Sequence, residues 1–253
     1  MNSVKDGQKF NIDGSGCIIR ELFNQENSNL NWLSAADMRI TDGASPLMGS
    51  DKEEVLLANL GQAAEVVVAG TQYELKHYDM LYIPVGASWQ AVKNSEDDVH
   101  LYVYRALGEE VYEPYHARYE ECIKDEERIR YLERKVVYKM FDVSENANKF
   151  MVGYTFYEDR TRAYPPHNHT DQEEVYSFIE GRGAMEVYED EKNKTFVRSV
   201  ETGDHITIPV LNYHPVFSHD EPLCFIWCIA GERYWVGDKN KDFMDASVDK
   251  LTT

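Results

Sequence analysis

The sequence predicts an all-β chain folded as two β-barrels joined by a helical connector. Three observations lead there: many short β-rich segments bounded by turn residues, one charged stretch of a different kind, and a repeat relating the two halves.

The segments CIIRELF, EEVLLANL, AEVVVAG, MLYIPVG and VHLYVYRA lie before residue 110, and KFMVGYTFY, EEVYSFIEG, AMEVYED, HITIPV and LCFIWCIA lie after residue 135. Each is rich in β-branched and aromatic residues and is bounded by Gly, Pro, Asn or Asp, the profile of strands in a sandwich or barrel. Between them, PYHARYEECIKDEERIRYLERK at 114–135 is highly charged, lacks glycine and begins with a proline suited to the first turn of a helix. Its charge run reads as a solvated helix face. The expected organisation is a first barrel over residues 1–110, a helical connector over 111–135, and a second barrel with its tail over 136–253.

The repeat is carried by two blocks. EEVLLANLG at 53–61 and EEVYSFIEG at 173–181 share both glutamates, the valine and the closing glycine, which aligns Glu54 with Glu174 and Gly61 with Gly181. YDMLYIPVGASW at 78–89 lies over GDHITIPVLNYH at 203–214, with Pro84 opposite Pro209. Each copy is of small-barrel size.

Bulk composition narrows the function. With 26 basic against 45 acidic side chains, the net charge of −19 argues against nucleic acid and anionic membrane surfaces as partners. MNSVKDGQKF has no apolar core of signal-peptide length, and no stretch approaches the roughly 20 apolar residues that span a bilayer, so a cytoplasmic location is expected. Cys17, Cys122, Cys224 and Cys228 read as small buried hydrophobes rather than a disulfide framework.

The stretch PPHNHTDQEEVYSFIEG at 165–181 carries the chemistry. Strand alternation turns His167 and His169 to one side, and Glu174 can join them from the start of the next strand. Imidazole nitrogens and a carboxylate oxygen suit a divalent zinc, iron, manganese, nickel or copper ion, and burying them together without a cation would be costly. His214, in the second repeat block, is the candidate fourth ligand. The first copy has Leu47 and Gly49 opposite the two histidines and Trp89 opposite His214, so it cannot hold the same ion.

HNHTDQEEVYSFIEG followed by GDHITIPVLNYH resembles the two signature blocks of the cupin superfamily. The resemblance implies a bicupin of jelly-roll barrels with one divalent metal on His167, His169, Glu174 and His214, zinc or manganese first, with iron or nickel as alternatives. Leu211 stands where the pattern has glycine, and Ser218 where it has asparagine. More narrowly, YPPHNH, YHPV and AGERYWVGDKNKDF resemble the family of 5-deoxy-glucuronate isomerase and 5-keto-4-deoxyuronate isomerase. That family implies a sugar-acid substrate and aldose–ketose isomerisation. The TDQE link between the histidines and the glutamate strand is shorter than the insertion usual in the inositol-pathway isomerases.

Isomerisation needs a base and a uronate needs a cation. Tyr176 shares the inward face of Glu174, and Tyr188 on the next strand is a second candidate base; packing in the core is the alternative for both. Arg162 and Lys139 are the candidate carboxylate-binding cations, with a solvated surface as the alternative. The same ligand set also serves metal-dependent oxidases, dioxygenases and decarboxylases, and a sugar-binding cupin without turnover is a third reading. A homodimer is expected, because exposed sheet edges invite a covering partner.

Overall fold

The computed structural model describes residues 9–11, 16–162, 166–190 and 192–235, and it is almost entirely antiparallel β. The first half supplies β1 (Lys9–Asn11), β2 (Cys17–Phe23), β3 (Leu33–Ile40), β4 (Glu53–Asn59), β5 (Ala63–Val68), β6 (Thr71–Lys76), β7 (Met80–Ile83), β8 (Trp89–Val92) and β9 (Val99–Leu107). The linking region holds β10 (Tyr115–Ala117), α1 (Tyr119–Cys122) and β11 (Ile129–Leu132). The second half supplies β12 (Lys135–Phe141), β13 (Phe150–Tyr157), β14 (Gln172–Glu180), β15 (Arg182–Asp190), β16 (Asn193–Glu201), β17 (His205–Ile208), β18 (Val216–Ser218) and β19 (Leu223–Gly231). No helix among the described residues is long and apolar enough to cross a membrane.

The two halves repeat one topology. The larger sheet of the first runs β1-β2-β3-β9-β4-β7-β10 and that of the second β11-β12-β13-β19-β14-β17, each backed by a three-stranded sheet, β6-β5-β8 or β16-β15-β18. Strand alternation explains the layers. Val55 and Leu57 of β4 point into the first barrel with Val66, Leu75 and Trp89, while Tyr176 and Phe178 of β14 point into the second with Val187, Ile206 and Trp227. The intervening Leu56, Ala58 and Val175 face a third core between the two larger sheets, which also takes Tyr82, Tyr104, Tyr154, Cys224 and Cys228. Each fully buried large apolar side chain contributes about 1.5–3 kcal/mol. The third layer therefore binds the two barrels firmly to each other.

Two sequence expectations are corrected. The helical connector shrinks to the single turn of α1 and a 3₁₀ turn at Glu126–Arg128, whose first turn Asp125 caps by accepting from the Glu127 amide. The remainder is strand: β10 adds to the edge of β7 and β11 to the edge of β12. An isolated charged helix has no apolar stripe to bury, whereas an open sheet edge offers every backbone group a partner.

The second correction is a one-residue register shift. Val55 lies opposite Ile83 and Glu174 opposite Ile208, so with Pro84 matched to Pro209 the counterpart of Glu174 is Val55, and Glu54 matches Glu173. A bulge at Ile179, between Phe178 and Glu180, absorbs the extra residue and restores the match of Gly61 with Gly181. Gly181 itself has φ +74°, and a Cβ there would lie 1.9 Å from the Pro222 carbonyl oxygen.

The shift gives both glutamates of the pair EE a place. Glu173 accepts from the backbone amides of Asn31, Trp32 and Leu33 at 2.7, 2.5 and 2.6 Å. Glu54 reciprocates, accepting from the amides of Asn148 and Lys149 at 2.8 and 2.7 Å and from the Tyr82 hydroxyl at 2.9 Å. Each barrel thus places one fully buried carboxylate on the chain entering a strand of the other.

Candidate metal centre

β14 is buried along nearly its whole length, and its alternation sends Glu173 to the barrel–barrel interface and Glu174 into the second barrel. The segment carrying the histidines runs beside the turn after β17: Leu211 donates its amide to the His169 carbonyl at 2.7 Å. The equivalent bond in the first barrel joins the Gly86 amide to the Ser50 carbonyl at 2.8 Å, which makes Ser50 the counterpart of His169 and Met48 that of His167. Met48, Ser50, Val55 and Trp89 therefore replace the four polar residues of the second barrel, and Trp89 fills the first barrel's core. Leu211 sits at φ +63°, the left-handed conformation that suits the glycine expected there.

His167, His169 and His214 bring ligand atoms within 4.8 Å of one another. The Glu174 Oε2 lies 3.1 Å from the His214 Nε2 and 3.5 Å from the His169 Nε2. The His214 Nδ1 is 2.9 Å from the Asn212 carbonyl oxygen, a contact that needs the proton on Nδ1 and turns Nε2 toward Glu174.

Burial, reinforced by His214 and His169, pushes the His167 imidazole well below its ordinary value. Glu174 titrates below the usual carboxylate range, because the flanking His169 and His214 outweigh the opposing effect of burial. The cluster thus gathers imidazole nitrogens of three histidines around a carboxylate. The His169 Nε2, His214 Nε2 and Glu174 Oε2 are buried without a hydrogen-bond partner. Orphaned buried acceptors cost about 1–3 kcal/mol each. A divalent cation would satisfy all of them at once, and nitrogen with carboxylate oxygen is a donor set that such ions take.

A cavity opens over this cluster, walled by Tyr157, Tyr176, Phe225, Trp227 and Trp235. Tyr176 meets His214 edge-on at 5.5 Å between ring centroids and stacks on Phe225 at 4.3 Å. Burial, then the nearby Glu174, raises its phenol well above the ordinary value, so it keeps its proton and suits a hydrogen-bond donor better than the base expected of it. The other three sequence candidates lie outside the cavity lining. Tyr188 is buried against Tyr213 with Lys194 5.3 Å from its ring centroid. Arg162 is exposed, its guanidinium 5.0 Å from the Phe217 ring centroid. Lys139 pairs with Asp142 at 3.3 Å.

Two cations that the sequence reading passed over line the cavity instead, Arg130 on β11 and Lys135 on β12. Both fall in the stretch read as a solvated helix. A strand reading of IRYLERKVV would have found them, because Leu132 pairs with Lys135 and Arg130 with Val137 across a two-residue turn.

The sequence matches the KduI/IolB family over residues 13–246. The chain belongs to that family. Among curated proteins it is similar to the 4-deoxy-L-threo-5-hexosulose-uronate ketol-isomerase of Bacillus licheniformis, with 25% identity over 245 residues, 87% of this chain and 88% of the relative. Among solved structures it is similar to an IolB-like protein from Salmonella typhimurium LT2, with TM-score 0.73 and 18% identity over 88% of this chain and 92% of that one. The oxalate decarboxylase formate complex of Lactobacillus farciminis superposes with TM-score 0.75 and 13% identity over 99% of this chain and 94% of that one. At these identities the solved structures speak to fold, and the fold is the bicupin that the sequence motifs imply.

Proposed function

We propose that the chain is a ketol-isomerase that interconverts the aldose and ketose forms of a small sugar acid, a keto-deoxyuronate or 5-deoxy-glucuronate, with one divalent cation on His167, His169, His214 and Glu174. The observation that carries this reading is the convergence of the histidines and Glu174 beneath a cavity, in a chain whose curated relative is a ketol-isomerase. Zinc or manganese suits the donor set.

The reaction moves a proton between adjacent carbons through an enediol, with a compensating proton shift between their oxygens. Bound there, the cation supplies Lewis-acid polarisation of a carbonyl oxygen. Tyr176, buried beside His214, donates its hydroxyl to the substrate oxygen that gains negative charge. The aromatic wall keeps water from that oxygen, which strengthens the donated hydrogen bond. The His214 ring is held by the Asn212 carbonyl, so its Nε2 is fixed before substrate arrives.

The test is incubation with 5-deoxy-glucuronate and with a keto-deoxyuronate in deuterated water, followed by proton NMR and an oxygen electrode. Interconversion of aldose and ketose, exchange at the carbon beside the carbonyl and no oxygen uptake are expected. Oxygen uptake, or carbon dioxide release without isomerised product, would replace the isomerase reading by an oxidative or decarboxylating one.

A further inference from the structure

The hairpin of β11 and β12 presents Arg130, Leu132, Lys135 and Val137 to the cavity over the histidines. In a chain of net charge −19, it brings two cations to one wall of a largely apolar cavity. Two like charges held together in a low-dielectric wall repel each other and forfeit hydration. Burial, then the neighbouring Arg130, brings the Lys135 ammonium down to about 8, and burial lowers Arg130 as well. An anion beside the Lys135 ammonium would offset both its burial and that repulsion.

We infer that Arg130 and Lys135 form a carboxylate-binding pole in the cavity that the metal ligands also line, which selects sugar acids over neutral sugars. Arg130 offers a planar fork that matches a carboxylate with two parallel N–H bonds, and Lys135 adds a point charge. His167, His169, Glu174 and His214 line the same cavity as the two cations, so pole and ligands belong to one site. A uronate carries both a carboxylate and a reacting carbonyl, and the cavity offers cations for the one and the histidine cluster for the other. The substrate class rests on the isomerase reading, whereas the anion site rests on the hairpin alone.

Calorimetric titration of the metal-loaded protein with D-glucuronate and with D-glucose, which differ only in the carboxylate, tests the pole. The wild type is expected to bind glucuronate more tightly than glucose. Arg130→Gln and Lys135→Gln should each weaken glucuronate about tenfold to a hundredfold, the range for a lost charged hydrogen bond, and leave glucose unchanged. Arg130→Lys, which keeps the charge and loses the fork, should fall between wild type and Arg130→Gln and guards against a folding defect in the neutral variant. Equal binding of glucuronate by the wild type and both neutral variants, or its failure to bind the wild type, overturns the pole. Turnover of a keto-deoxyuronate on the same samples separates the two claims. Turnover with glucuronate binding indifferent to both substitutions removes the pole and keeps the isomerase, and pole-dependent binding without turnover does the reverse.

Discussion

Glu173 and Glu174 are adjacent in sequence and opposite in consequence. Glu173 gathers three backbone amides from the other barrel, and Glu174 faces two imidazoles beneath the cavity. Glu173→Gln should leave metal content unchanged and cost about 1–3 kcal/mol, because an amide group replaces one acceptor oxygen and meets donors. Glu174→Gln should change stability little and lose metal and turnover. Denaturant midpoints and elemental analysis of the two variants check the contrast. Tyr176→Phe should lower turnover about a hundredfold to a thousandfold, the scale of one donor to a developing oxyanion, with metal retained.

At the scale of elements, the convergence of His167, His169, Glu174 and His214 was legible because it depends on short spacings: two alternate residues, a strand start four residues on, and a fixed distance after Pro209. The register between the two repeats was not. It turns on the bulge at Ile179, and which residue a strand expels is decided by the neighbours it pairs with, here β19. Arg130 and Lys135 were hidden for a related reason, since a charged segment becomes a strand only where an open edge receives it. The corrected register carries its own prediction. Trp89→His should gain no tightly bound metal, because Met48, Ser50 and Val55 occupy the other three positions; a second metal equivalent by elemental analysis would contradict the alignment. Gly181→Ala should cost upward of about 1–2 kcal/mol, since its left-handed backbone and the 1.9 Å approach of the Pro222 carbonyl both exclude a methyl group.

On the scale of the whole molecule, the layer between the larger sheets sets the response to acid. His205 is fully buried there, its Nδ1 2.9 Å from the Ser177 hydroxyl that also accepts from the Tyr104 hydroxyl at 2.7 Å, with its ring edge-on to Tyr102. Burial, opposed by Asp37 and reinforced by Arg20 and His100, brings its imidazole down to about 3. Above the unfolded value of about 6.5 both states carry it neutral. Below that value the unfolded chain takes up a proton that the folded one refuses, so stability is lost as pH falls from about 6.5 toward 3, by up to about 1.4 kcal/mol per pH unit. His205→Gln keeps a partner for Ser177 without the titration, and its denaturation midpoint should fall less steeply over that window than the wild type's. Equal slopes would remove His205 from the account.

The central claim is that one barrel of two holds a catalytic cation on His167, His169, Glu174 and His214. The most direct test is metal content per chain on protein purified without an affinity tag, for the wild type and for His214→Ala, with isomerase activity measured on the same samples. About one equivalent is expected in the wild type and less than about a tenth of that in His214→Ala, with activity that tracks the metal. Full metal and full activity in His214→Ala would contradict the claim.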